Sequence, residues 1–179
     1  EYTNHLGTPG DEAVAFVKNC LVGTNIKQHI RIISSAKVTS SFDIIKRMAL
    51  GADTCNMARP MLFAIGCVQS VRCNTNTCPT GVATTNKHRA YAIKLKQKSQ
   101  QVANFHKNTV KNFRDILGAM GADHPSKLGP EMIHMRAPNA GSVTCDEYFH
   151  FIEPGNLLSN DIHPKYKICW QRANAESFA

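Results

Sequence analysis

From Ile30 to Gly66 the sequence repeats one alternation, and it limits the fold more than any other feature of the chain. A β-rich run, IRIISSAKV, carries Ile30, Ile32 and Ile33 and ends in Ser34, Ser35 and Ala36. Ser40 or Ser41 then caps a helix, SFDIIKRMALG, with Asp43 in its first turn and Gly51 at its end. The acid complements the positive end of the helix dipole, and glycine takes the left-handed stop. A second strand-like piece, ADTCNMA, follows at once, and a third helix is expected after Pro60 with MLFAIG. Upstream, DEAVAFVKNCLVG carries the same signals, with two acids at its start and Gly23 at its end. Strand and helix alternating over short connectors require parallel strands with crossover helices, so an open α/β sheet or an α/β barrel. Two strands close neither. The missing strands are expected upstream of Glu1, whose position inside a polar segment reads as a cut in a longer protein.

Length and charge narrow the classes further. With 179 residues and 42% apolar side chains the chain supports a packed core. No apolar run is long enough to span a bilayer. Seven cysteines, an odd number, are spread over the chain without a framework spacing, which points to reduced, intracellular chemistry and a cytoplasmic location. A membrane anchor in a missing N-terminal part stays open. The formal charge of +8 is uneven, with eight Lys or Arg and no acid between Lys87 and Arg114. That stretch is interleaved with a helical apolar stripe of Val102, Phe105, Thr109, Phe113, Ile116, Leu117 and Met120. The stripe predicts a long helix over residues 98–120, buried on one side, with its lysines in solvent. No recognition motif or aromatic stacking platform accompanies it, so nucleic acid is not the expected partner. Beyond it the Pro, Gly, His and Asn content predicts irregular structure with short helices at most.

Between these regions lies GCVQSVRCNTNTCPTG, which holds Cys67, Cys73 and Cys78 with gaps of five and four residues. Three thiolates this close, without a fourth ligand in sequence, suit a three-iron cluster in which each iron takes one cysteine. Zinc is a rival, with His88 or His106 as fourth ligand, although neither stands at a finger-like spacing. Structural cysteine is the third alternative, and Cys67 after MLFAIG fits it alone. All three stay open on spacing.

Two strand ends have the chemistry to hold a phosphate. Ser34-Ser35-Ala36-Lys37 and Met57-Ala58-Arg59-Pro60 each combine small side chains, a cation and a following helix. Backbone N–H groups at such a place form an anion site, and the last two loops of α/β barrels use it often.

The stretch from Ala36 to Thr84, AKVTSSFDIIKRMALGADTCNMARPMLFAIGCVQSVRCNTNTCPTGVAT, closely resembles the FMN-binding domain of glutamate synthases. It is most similar to the stand-alone FMN-binding glutamate synthase family. The cysteine spacing followed by Pro-x-Gly-Val-Ala carries the resemblance, and FHKNTVKNFRDILGAMGADHPSKL extends it. The resemblance implies the C-terminal portion of a (β/α)8 TIM barrel with an iron–sulfur loop and a helical C-terminal extension. Residues 1–66 would be the last β/α units of the FMN-binding barrel, 67–86 the cluster loop and 87–179 the extension packed on the barrel. By the same resemblance Cys67, Cys73 and Cys78 bind a 3Fe-4S cluster, while Ser35, Ala36, Lys37, Ala58 and Arg59 hold the FMN phosphate. Relatives usually carry glycine where Ala36 stands, which puts the detailed phosphate geometry in question.

The implied reaction reduces 2-iminoglutarate, formed from 2-oxoglutarate and ammonia, to glutamate, with catalytic groups expected upstream of Glu1. The implied partners are an electron donor such as ferredoxin or a nicotinamide-dependent reductase, and a separate glutaminase subunit. Arg59 and Arg72 are the cations expected to tune the cluster. A different class remains as the alternative: a zinc-stabilised basic module that docks nucleic acid or an acidic protein.

Overall fold

The computed structural model describes residues 6–137 and 141–177. The helices are α1 (Gly10–Gly23), α2 (Ser41–Ala49), α3 (Ala58–Ala64), α4 (Lys87–Ala90), α5 (Leu95–Ala119), α6 (Cys145–Phe149) and α7 (Pro164–Arg172). The strands are β1 (Ile33–Ser34), β2 (Thr54–Cys55), β3 (His134–Ala137) and β4 (Gly141–Thr144), and short 3-10 turns lie at Lys27–His29, Pro125–Lys127, Pro130–Met132 and Asn156–Leu158. The class is therefore mixed α/β, rich in helix and sparing in strand. The chain divides into two compact units. Residues 1–34, 46–55 and 126–179 form one, and residues 35–45 and 56–125 form the other.

In the first unit β1 and β2 pair in parallel, Ile33 with Thr54 and Ser34 with Cys55. Asp53 locks that register. Its carboxylate accepts from the Ile32 amide at 2.6 Å and from Lys27 Nζ at 2.9 Å, while its own amide donates to Ile32 O at 2.8 Å. Val14, Ala15, Ile32, Ala49, Leu50 and Ala52 are buried in this unit. At the start of α1, Asp11 pairs with Lys46 at 2.8 Å and Arg47 at 3.0 Å. Farther along, the buried Asn19 donates its amide to the Tyr166 hydroxyl and accepts from the Ile152 amide, which ties α7 and the 150–152 segment to α1. Phe16 stacks on the same tyrosine at 5.6 Å.

In the second unit α3 packs on α5. Ser41 Oγ donates to Thr109 O at 2.9 Å, fixing the first turn of α2 on the middle of α5. The α5 stripe is as the periodicity predicts: Thr109 and Leu117 are buried and Val102, Phe105, Phe113, Ile116 and Met120 half-buried. The rest of residues 101–119 is exposed.

Four helices end the same way. After α1, α2, α3 and α5 the residues Asn25, Gly51, Gly66 and Gly121 take positive φ, and the next amide reaches back to a carbonyl five residues earlier. This is the Schellman lock, which satisfies the last carbonyls and turns the chain sharply away.

Several elements depart from expectation. Both parallel strands pair over only two residues, because each has a single partner among the described residues. α3 begins at Ala58 rather than after Pro60, since proline fits the first turn of a helix, where its missing N–H has no acceptor to lose. α5 starts three residues ahead of the predicted 98. The tail, expected to be irregular, contains the antiparallel hairpin β3–β4, with His134 opposite Thr144 and Ala137 opposite Gly141. No helix among the described residues is long and apolar enough to cross a membrane.

Candidate functional site

Parallel pairing of β1 with β2 sends both candidate phosphate segments off the same end of the sheet. Ser35, Ala36 and Lys37 follow β1, and Met57, Ala58 and Arg59 follow β2 after one residue. All of these except Met57, which is half-buried, are exposed. Ala36 and Lys37 stand at φ 68 and 58. Two consecutive left-handed residues turn the backbone tightly, and alanine bears a steric cost there that glycine avoids. A glycine would meet this conformational demand without strain, and this chain meets it with a methyl group.

At the end of β1 the side chain of Ser34 is buried, and its Oγ has no hydrogen-bond partner among the described residues. Buried hydroxyls are rarely left unpaired, so this oxygen fits a site that a polar ligand completes. The two helix starts differ. α2 is closed by its own side chains: Asp43 accepts from the amides and hydroxyls of Thr39 and Ser40, all near 2.9–3.0 Å. Burial pushes the Asp43 carboxyl up, but those bonds together outweigh it and hold it below the usual carboxylate range. The helix start expected to serve an anion is therefore already occupied by an internal one. α3 has no side-chain cap at Met57, so its first amides, at Ala58 and Arg59, are not taken up by one.

Gly66 delivers the chain from α3 into the cysteine loop. It stands at φ 101, its amide bonds Phe63 O, and the Cys67 amide bonds Leu62 O. Lys98 of α5 brings its ammonium to 3.0 Å from where a Gly66 side chain would begin, against the negative end of α3 and next to Cys67. Beyond Cys67 the loop is tight. Gln69, Val71 and Asn76 all have positive φ, and Val71, β-branched and 84% exposed, is the most costly of them. Asn76 anchors the return by accepting from the Thr84 hydroxyl and the Thr85 amide, and Arg89 of α4 donates to Thr77 O at 3.2 Å. Gly81 lies so close under the Arg89 carbonyl that no side chain fits there.

The cysteines differ in their surroundings. Cys67 is half-buried, Cys73 exposed and Cys78 buried. The Thr80 hydroxyl lies 3.5 Å from Cys78 Sγ. That hydroxyl and the Ala83 amide, against burial and with the Thr80 and Val82 amides, draw the Cys78 thiol down to about 7. A sulfur surrounded by N–H and O–H donors is prepared to be a thiolate, which is the form that binds iron or zinc. Among the described residues no three His, Cys, Asp or Glu side chains converge into a metal-holding group, so the three sulfurs are not gathered around one centre. Neither His88 nor His106 joins them, and both are exposed. The donor chemistry fits a cluster at Cys78, while Cys73 has to turn inward to share it.

Burial pushes Cys55, at the end of β2, upward against the pull of Arg47, and burial followed by the nearby Cys169 does the same to Cys20. Three side chains at the candidate site escaped the sequence reading. Thr80 had a local signal, a hydroxyl two residues after a cysteine. Ser34 was seen only as a small residue, and Lys98 reaches the loop through tertiary packing that no spacing reveals.

Residues 1–123 match the family model described as the conserved region in glutamate synthase. The chain is 29% identical over 150 residues to the glutamate synthase large subunit-like protein YerD of Bacillus subtilis, covering 84% of this chain and 29% of that protein. It is 31% identical over 127 residues to the archaeal glutamate synthase [NADPH] of Methanocaldococcus jannaschii, covering 71% of this chain and 25% of the relative. Over 159 residues it is 27% identical to the glutamate synthase [NADH] of Saccharomyces cerevisiae, covering 84% of this chain and 7% of that much longer protein. The chain thus spans under a third of the length of these relatives, and the matched region contains both strand ends and the whole cysteine loop. It belongs to the glutamate synthase family.

Proposed function

We propose that this chain supplies the electron-entry end of an FMN- and 3Fe-4S-dependent oxidoreductase of the glutamate synthase type, which reduces 2-iminoglutarate to glutamate. The observation that carries this is the donor-lined Cys78 in a loop that lies inside the region matched by the glutamate synthase family model. In this reading β1 and β2 are the last two strands of a (β/α)8 barrel, and residues 67–86 form the cluster loop. The open edges of a two-stranded parallel sheet and the exposed Ile33 and Phe42 support it, because neighbouring strands and helices would cover them. Bound FMN would supply hydride, and the cluster would supply electrons one at a time.

This chain's own residues bind and position. Ser35, Ala36 and Lys37 would offer backbone and one ammonium to the FMN phosphate, with the orphaned Ser34 hydroxyl just before them in the chain. The first amides of α3 at Ala58 and Arg59, together with the Arg59 guanidinium, would hold its other side. Cys67, Cys73 and Cys78 would ligate iron, and Thr80 with the 80–83 amides would stabilise charge on the Cys78 sulfur. Lys98 adds positive charge beside Cys67. The 2-oxoglutarate pocket, the catalytic groups, an ammonia-producing glutaminase and the reductant would come from outside residues 1–179.

The test uses the full-length protein that contains this chain. Flavin absorbance, acid-labile sulfide and about three irons per chain are expected, and Cys73→Ser should remove the iron while leaving flavin bound. Zinc in place of iron, with no flavin, would overturn the proposal.

A further inference from the structure

We infer that the hollow between α1, α6 and α7 is a binding site for a free amino acid with an aromatic side chain. Its volume is about 580 Å³, within the range of small-molecule sites. Every residue that lines it belongs to the first unit, and none belongs to the strand ends or the cysteine loop. Aromatic lining is the first observation. The chain has eight Phe, four Tyr and one Trp, and Phe16, Tyr148, Phe149 and Tyr166 gather here. Tyr166 and Phe149 are buried and form the floor with Ala15. Phe16 stacks on Tyr166 at 5.6 Å yet stays 40% exposed, and Tyr148 meets Phe149 edge-on at 5.0 Å. A ring backed on one side and open on the other offers a surface to a planar guest.

Charge is the second. Glu12, one turn ahead of Phe16 on α1, and Lys165, next to Tyr166 on α7, line the same hollow and are both exposed. They are not paired with each other, and the Glu12 carboxylate has no hydrogen-bond or ion-pair partner among the described residues. Lys165 gives one hydrogen to Phe149 O at 2.9 Å, which leaves two of its donors for a guest. One anion and one cation beside an aromatic floor match a zwitterion, with its ammonium on Glu12 and its carboxylate on Lys165. The first unit balances ten Lys and Arg against ten Asp and Glu, so its field favours neither a bare anion nor a bare cation. A nucleotide fits less well, since Lys165 is the one Lys or Arg in the lining. A crease between packed helices explains the hollow alone and leaves the unpaired carboxylate and the open ring without a common cause.

Support from behind is the third. Asn19 holds the Tyr166 hydroxyl and the Ile152 amide, so the floor is tied to α1. Thr144 and Glu147 cap the start of α6 reciprocally, and His163 caps α7 by accepting from the Lys165 amide at 3.3 Å. Walls fixed in this way lose little freedom when a guest enters. Cys169 lines the hollow with an exposed thiol, which a guest would shield. None of these residues takes part in the proposed flavin or cluster sites, so the inference does not rest on that proposal.

The test takes the full-length protein, with L-phenylalanine as probe. Titration calorimetry should give a Kd of about 1 mM or tighter. Phenylalanine at about ten times Kd should slow alkylation of Cys169 by iodoacetamide about tenfold, because only the unliganded fraction reacts. The rate is read from the Cys169 peptide by mass spectrometry. Glu12→Gln should weaken phenylalanine binding about tenfold and leave phenylacetate, which lacks the ammonium, bound as before. Lys165→Met should weaken phenylalanine in the same way and spare phenethylamine, which lacks the carboxylate. A protein that holds no iron or flavin should bind phenylalanine with the same Kd, so this inference and the proposed function fail separately. Absence of both heat and Cys169 shielding at about 10 mM phenylalanine would overturn the inference. So would binding that leucine matches, or that both rim variants leave unchanged. A Cys169 that resists iodoacetamide without any ligand would overturn it as well, since the hollow would then be filled.

Discussion

Cys78 and Ala36 show how much a single position decides here. The Cys78 thiol ionises near neutrality because Thr80 and the following amides point donors at its sulfur. Thr80→Val keeps the shape and removes the first of those donors. The Cys78 thiol should then titrate above its present value of about 7, read from the ultraviolet thiolate absorbance of metal-free protein with the other six cysteines changed to serine. An unmoved titration would mean that the backbone amides alone set it. Ala36 is the converse case. The sequence marked it only as an unusual letter for its family, and the structure supplies the reason in its φ of 68. Position and residue type were legible in both cases, whereas the dihedral angle and the donor set were not, because they arise from how the loop closes.

Among elements, the pairing of β1 with β2 depends on one carboxylate. Burial pushes Asp53 up, but the Ile32 amide, Lys27 and Arg31 outweigh it and hold it below the usual carboxylate range. A depressed folded value means that its contribution is complete above the unfolded pKa of about 3.9 and fades as pH falls through the lower folded value. Asp53→Asn should therefore cost about 1 kcal/mol near neutral pH after solvent screening. The difference from the parent should shrink as pH falls below about 4 and close only beneath the lower folded value, as urea unfolding across that range will show. The sequence revealed most element types. Gly23 and Gly51 marked helix ends, and the α5 stripe marked both a helix and its buried side. It did not reveal the hairpin β3–β4, because the alternation in HMRA runs over only four residues and GSVT has none. The strands also came out shorter than the run Ile30–Ile33 suggests, since pairing length is set by the partner strand and not by local preference.

At the scale of the molecule, the alternation of strand and helix indicated the α/β class and the acid-free run Lys87–Arg114 indicated a cationic region, but no local pattern indicated that residues 35–45 and 56–125 form one unit holding the net charge of +8 while the other is neutral. That division brings together residues far apart in the chain. In the neutral unit the link between α1 and the C-terminal segment runs through Asn19, 1% exposed, and Tyr166. Tyr166→Phe leaves a buried amide short of an acceptor and should cost roughly 1–3 kcal/mol. A fall in melting temperature is the expected outcome; an unchanged one would show that the His150 carbonyl suffices. The four Schellman locks have a consequence for remaking the molecule. Each stop is encoded within its helix and the residue after it, so the segment beyond is free to change length without shifting the helix behind it. Beyond Gly51 and Gly66 a change of length would therefore act on the strand register that Asp53 holds and on the cysteine spacing, and leave the helix behind unmoved.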